Sequence, residues 1–215
     1  MKSFVGFLRS FIIEEGEENS GHVVMSFIRG NPPHEGHGEV IRAGQEEAKR
    51  VGGTHVVVLS HSQDAEKNPL TVEQKMKHFQ RAFPGVRFVA ATTQHPTLLH
   101  QLSRLHGAGH REATIVGGSD RDSMGQVAQD YNGKEGKHGY YNMKLHFKQA
   151  GETRTDSGEG VQSYSASKMR DAVKRGDREG FRAMAPKGMK PKHVDEMFDE
   201  VDAAQKKAKP KGKKK

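Results

Sequence analysis

The chain has 215 residues, 33% of them apolar, no cysteine, and a formal net charge of +8. Lacking cysteine, it has no disulfide and no thiolate-ligated zinc, which suits a reducing cytosol; no apolar run approaches the length of a membrane span, so no membrane partner is expected. The charge is uneven: residues 206–215 hold seven lysines and the remainder carries 28 basic against 27 acidic residues, or +1. The folded part is therefore nearly neutral, and the basicity belongs to a tail that reads as solvated or as a contact for nucleic acid or an acidic partner.

In chain order, residues 1–13 place Phe4, Phe7, Leu8 and Phe11 at helical spacing, a short amphipathic segment. An acidic, turn-prone linker follows. The segment reads as a helix packed on the domain or on a neighbouring subunit, or as a removable address. A secretory signal is not expected, because Arg9 interrupts a short apolar region and no small-residue cleavage site follows. Three parts are expected: a leader and linker over 1–21, one domain over 22–190, and a C-terminal helix with the lysine-rich tail over 191–215.

Val23 to Ile28 is an apolar run that breaks at Arg29-Gly30-Asn31-Pro32-Pro33 and restarts as a helix from Glu39 to Val51, with His34 and His37 at the turn. Thr54 to Ser60 is a second, nearly all-apolar strand, as buried parallel strands are. After a polar loop, Thr71 and Gln74 form a capping-box pattern, opening a helix that turns Met76, Phe79 and Phe83 inward. Val86 to Ala91 is a third strand, Pro96 opens a helix faced with leucines, and Ala113 to Val116 is a fourth strand running into the loop Gly117-Gly118-Ser119-Asp120 and another helix. Beyond a Gly-rich, basic stretch at 131–141, Asn142 to Gln149 is a fifth strand with Met143, Leu145 and Phe147 alternating. Helices are expected over Ser165–Arg175, Arg178–Met184 and His193–Ala208. Alternating strands and helices predict an α/β fold: a Rossmann-like, doubly wound parallel sheet of about five strands with C-terminal helices. Ordered 3-2-1-4-5, strands one and four would meet where the winding reverses, and ligands of such sheets sit beyond the carboxyl ends of the strands there.

Two segments carry the chemistry. Arg29, Gly30, Asn31, His34, Gly36 and His37 combine a backbone free to turn closely with one cation and two imidazoles, which suits an anion at a helix amino terminus. Tyr164-Ser165-Ala166-Ser167-Lys168-Met169-Arg170 combines an N-cap serine, a second hydroxyl, a lysine and an arginine at another helix start, an anion cradle. Taken singly, a metal half-site or solvated histidines would explain the first, and an ordinary capped surface helix the second.

Together they resemble the HxGH nucleotidylyltransferase superfamily. Its first strand ends in a similar Arg-x-x-x-Pro-x-His-x-Gly-His loop, and its second signature is an Ile-Ser-Ser-Thr-x-x-Arg helix start; Tyr164 stands here for Ile and Ser167 for Thr. Ser60-His61-Ser62 and Asn68-Pro69-Leu70-Thr71 are similar to the paired stretches of archaeal-type nicotinamide mononucleotide adenylyltransferases. The overall resemblance, over about residues 23–185, is to phage-encoded, cytidylyltransferase-like members, which share the Asn-Pro-Pro loop, Gly-Ser-Asp-Arg and the Gly-Lys-Glu-Gly-x-His-Gly-Tyr-Tyr-Asn stretch at 133–142.

The resemblance implies transfer of a nucleoside monophosphate from a nucleoside triphosphate, ATP before CTP, to a phosphorylated small molecule such as nicotinamide mononucleotide, as in NAD biosynthesis, with release of pyrophosphate. His34, His37, Lys168 and Arg170 would be catalytic. Arg29, Gly30, Asn31, Gly36, Gly118, Ser119, Asp120, Ser165 and Ser167 would hold nucleotide and phosphates, and Ser60, His61, Asn68 and Thr71 would form the substrate loop. Mg2+ would arrive on the triphosphate, with no dedicated protein cage. The competing readings are a cytidylyltransferase with another phosphorylated acceptor and a non-catalytic virion protein that keeps the fold. A homo-oligomer is expected from the superfamily. The expected location is cytoplasmic, the host cytoplasm if phage-encoded, or else the virion.

Overall fold

The structure, a computed structural model, describes residues 21–118, 122–151 and 163–208. The amphipathic leader, Ser119, Asp120 and the last seven residues lie outside the described part.

Strand β1 (His22–Ile28) is the central strand. Helix α1 (Glu35–Val51) returns the chain to β2 (Thr54–Leu59), and α2 (Val72–Ala82) returns it to the short β3 (Phe88–Ala90). The chain then crosses through α3 (Leu98–Gly107) to β4 (Glu112–Gly118), and α4 (Asp122–Asp130) precedes β5 (Lys144–Ala150). Every strand pair is parallel and the order is β3-β2-β1-β4-β5. The fold is thus the Rossmann-like α/β sheet expected, with the winding reversed between β1 and β4.

The register follows from burial on both faces. Side chains on β1 alternate: Val24 and Ile28 join Val40, Ile41 and Phe79 beneath α1 and α2, whereas Val23 and Met25 join Leu98, Leu102 and Ala128 beneath α3 and α4. A strand that must be apolar on both sides loses the polar alternation of an exposed one. A polar pair is taken inside on the α1 face. The His55 ring lies where a Cβ at Gly44 would stand, Ser26 Oγ is 3.2 Å from its Nε2, and burial pushes the imidazole down to about 4.

A third core lies beside the sheet. Helices α5 (Ala166–Arg175), α6 (Arg178–Met184) and α7 (Pro191–Ala208) pack Met169, Phe181, Met197 and Val201 against Leu70 and Ala82. Ion pairs tie α7 to α2, with Lys77 and Arg81 reaching Glu196 at 2.8 and 2.6 Å, and buried His78 adds a 2.8 Å hydrogen bond to Glu200. This packing holds the start of α5 against the carboxyl edge of the sheet.

Several boundaries differ from expectation. Helix α1 begins at Glu35 rather than Glu39, because His34 and His37 close its first turn: the His34 N–H donates to His37 Nδ1 at 3.1 Å. Gly117 and Gly118 pair with Gln149 and Ala150 as the end of β4 rather than forming a loop. On α2, Phe79 is fully buried as expected, but Met76 and Phe83 are only half-buried and the remaining inward positions belong to Lys75, His78 and Ala82. Phe147 stays 46% exposed on the edge strand β5.

Candidate functional site

The site is built outward from the turn between β1 and α1. Arg29 is exposed at the strand's end, and Gly30 follows at φ +53, where a side chain would be strained. A Cβ at Gly30 would also overlap the Phe79 ring, so the glycine is required by packing as well as by the turn. The same ring meets His37 edge-on at 5.8 Å, and the His34 and His37 rings lie 3.8 Å apart. The two imidazoles are therefore seated at the amino terminus of α1, where unpaired N–H groups and the helix dipole favour an anion. Because a backbone N–H can only donate, His37 Nδ1 is the acceptor in its bond from His34, and the ring proton sits on Nε2.

Asn31 contributes through its backbone. Its side-chain amide donates to the Leu70 carbonyl at 3.0 Å and its Oδ1 accepts from the Leu70 N–H at 2.8 Å, so its side chain staples this turn to the loop before α2. Its carbonyl accepts from Arg170 Nη1 at 2.8 Å. Arg170 Nη2 donates to Ser167 Oγ at 2.9 Å, and Ser165 caps α5 by accepting from the Lys168 N–H at 3.1 Å. The two segments, 139 residues apart in the chain, are thereby joined, and the guanidinium is set in a two-point fork. Burial lowers the Arg170 pKa; Asp171 and Asp64 oppose the fall and neighbouring Arg29 adds to it. The Lys168 side chain is exposed.

Glu35, between the histidines' positions and 1% exposed, does not act as a free carboxylate. Arg42 donates to its Oε1 at 2.5 Å and the Lys187 N–H to its Oε2 at 2.8 Å. The residues of the second loop divide in the same way. Thr71 caps α2 in the expected capping box with Gln74. Asn68 closes the loop on Asp64 through paired backbone bonds of 3.0 Å and its side-chain amide at 2.5 Å. Ser60 and Ser62 remain beside the site and are held from behind by Lys75, which donates to both their carbonyls, with His61 between them in the chain. Lys75 is fully buried, and desolvation pushes it down to about 8, with Arg29 adding to the fall.

Two crevices open at the same edge on the α3–α4 face, divided by Phe27 and Met124, which line both. One, of about 360 Å3, runs between β4, β5 and α4; Gly117, Gly118, Gln126, Gln129 and Gln149 offer polar groups and Phe147 an apolar wall. The other, of about 420 Å3, is lined by Arg29, Ser60, Ser62, Thr97, Leu98 and Leu99 among others, with no acidic side chain. Of the residues singled out from sequence, Arg29, Asn31, His34, His37, Ser165, Ser167 and Arg170 gather at the α1–α5 junction, and Ser60 and Gly118 line the crevices. Gly36 lies in the first turn of α1 beside the His34 ring. Gly30, Asn68 and Thr71 serve packing or capping, and Ser119 and Asp120 lie outside the described residues. Sequence reading missed Lys75 and Glu35. For Lys75, the signal was the spacing of Lys75, His78, Phe79 and Ala82, one complete helix face.

Among the described residues, no group of three or more His, Asp or Glu side chains would hold a metal ion, and no helix is long and apolar enough to cross a membrane.

Fold and edge together define a Rossmann-like α/β protein whose polar and cationic groups converge at the switch point of the sheet. Among solved structures the chain is similar to TmcAL of Thermotoga maritima without ligand, at TM-score 0.53 and 14% identity over 85% of this chain and 57% of that one. It is likewise similar to the same protein bound with alpha-thio ATP, at TM-score 0.52 and 12% identity over 85% and 56%. The likeness is one of fold, and this chain spans a little over half the length of those structures. No protein-family model and no curated protein matches the chain.

Proposed function

We propose that the protein is an HxGH-type nucleotidylyltransferase that moves a nucleoside monophosphate from a nucleoside triphosphate, ATP in the first instance, to a phosphorylated small molecule. The observation that carries this reading is the 2.8 Å bond from Arg170 to the Asn31 carbonyl, which sets a cationic helix start against the histidine turn. Binding of alpha-thio ATP by the TmcAL of like fold favours ATP over CTP. Nicotinamide mononucleotide is the first acceptor to test.

An oxygen of the acceptor's phosphate attacks the α-phosphorus, the bond from that phosphorus to the bridging oxygen breaks, and pyrophosphate leaves. The nucleophile is already anionic, so the chain needs no general base, in keeping with Glu35 being neutralised by Arg42 and the Lys187 N–H. Catalysis then rests on alignment and on donors aimed at developing charge. His37, protonated on Nε2, donates to the α-phosphate with His34 beside it. Arg170, Lys168, Ser165 and Ser167 hold the β- and γ-phosphates, and Mg2+ enters as part of the triphosphate substrate. Gly117, Gly118 and the glutamines of the smaller crevice face the base, and the crevice bounded by Arg29 and Ser60 takes the acceptor.

Pyrophosphate release from ATP and CTP, each with nicotinamide mononucleotide and a panel of other phosphomonoesters, tests the reading. Acceptor-dependent release with one pair supports it and names the substrates. Absence of release with every pair would leave a non-catalytic protein of this fold.

A further inference from the structure

Lys75 buries a whole ammonium group with no carboxylate bonded to it among the described residues. Among the described residues its bonds run to the carbonyls of Ser60 and Ser62, two of its three donors. Neutral carbonyls only partly offset the desolvation of such a cation. The strand needs no cation there for its own pairing, because the Ser60 N–H already bonds the Ile28 carbonyl at 2.8 Å. What the lysine does fix is the course of residues 60–62, and Ser60 and Ser62 are walls of the larger crevice. Arg29, a wall of the same crevice, lies close enough to oppose the charge on Lys75. Ser60 Oγ is buried and has no partner among the described residues. Two cations, an unsatisfied hydroxyl and no acidic lining residue make the crevice complementary to an anion. Pro96, Leu98, Leu99 and Val127 make the rest of its lining apolar.

We propose that Lys75 is a positioning residue for the acceptor: it holds the Ser60–Ser62 turn from behind and adds a buried positive charge to a crevice that selects a phosphomonoester. This rests on the acceptor seat assigned above, yet it can be tested without turnover. The charged groups that bear on Lys75 are Arg29 from the β1 edge and Glu73 on its own helix; His61, in the turn it holds, bears on Glu73.

The experiment titrates nicotinamide mononucleotide, ribose 5-phosphate and ATP into wild type, Lys75→Met and Lys75→Arg, with melting curves to establish that each is folded. Lys75→Met is expected to weaken the two phosphomonoesters at least about tenfold and ATP less than about twofold, and Lys75→Arg to restore them to within about threefold; a tenfold change corresponds to about 1.4 kcal/mol. In an active protein the same variant should raise the acceptor KM while kcat falls less, whereas a merely structural role would lower active protein and leave KM unchanged. The unmutated chain gives a second measurement if Lys75→Met does not fold. Its affinity for ribose 5-phosphate should fall from pH 7 to pH 9 as Lys75, at about 8, loses its proton, whereas its affinity for ATP should not. A folded Lys75→Met that binds both phosphomonoesters as wild type does, a flat pH profile, or a wild type that binds neither would overturn the proposal. Phosphomonoester binding without pyrophosphate release would instead remove the transferase reading and leave Lys75 in place; release with unchanged acceptor KM in Lys75→Met would do the reverse.

Discussion

The two faces of the sheet reach one carboxyl edge in different ways. On the α1–α2 face the polar groups are clamped: Asn31 on Leu70, Arg170 on Asn31 and Ser167, His37 on the His34 N–H. On the α3–α4 face the helices stand away from the strand ends and leave two crevices, parted by Phe27 and Met124. Fixed donors suit a phosphate chain, whose charge is the same whatever base it carries, since preorganised groups need no rearrangement as charge develops. Shaped cavities suit the base and the acceptor, which differ from one substrate to another. The clamped face should therefore govern rate, and the open face selectivity.

The largest effect expected is on the clamped face. His37→Ala should keep its fold and lose about 10²–10³ in kcat, the scale for removing one transition-state donor; pyrophosphate release at saturating substrates measures it. Arg170→Ala should weaken ATP binding about 10- to 100-fold in calorimetry. Arg170→Lys should not rescue it, because a single ammonium cannot reproduce a fork to Asn31 and Ser167. On the open face, Phe27→Ala joins the two crevices and should raise both substrates' KM by roughly tenfold, the scale of a lost apolar contact, with kcat changed less. A drop in kcat as large as that of His37→Ala would erase the distinction between the faces.

Acidification acts beneath both. The His55 pKa is depressed from 6.5 to about 4 by burial, so the stability it contributes is present above pH 6.5 and is lost as pH falls toward 4. Glu47, held down to about 2 chiefly by Arg50, surrenders its share only between its ordinary value and about 2. Thermal melts should thus lose several degrees between pH 6.5 and 4.5, before the carboxylates titrate. A His55→Gln chain that melts with the same pH dependence would contradict the assignment.

Much of this was legible in the sequence, for identifiable reasons. The doubly wound α/β architecture followed from apolar runs alternating with helix periods, and the caps at Thr71 and Ser165 from short-range chemistry that needs no tertiary context. The meeting of Arg170 with the histidine turn was expected from resemblance, and its geometry is now explicit. What stayed hidden depends on partners remote in sequence. Asn31 reads as a phosphate ligand until Leu70 takes up both groups of its amide. Glu35 carries no local sign of the partners, Arg42 and the Lys187 N–H, that enclose it. Lys75 lies on a complete inward helix face, but a lysine there is taken for the outer one. Helix α1 starts a turn before the sequence implies, because histidine is not a usual cap and only its bond with His37 closes that turn.

Whether the histidine turn and the start of α5 act on one polyphosphate is measured most directly by a double-mutant cycle. α,β-Methylene ATP is titrated calorimetrically into wild type, His37→Ala, Arg170→Ala and the double variant. The account predicts that the two losses are coupled by about 1 kcal/mol, beyond the roughly 0.5 kcal/mol within which independent sites add. Losses that simply add, or an analogue that wild type does not bind, would contradict it.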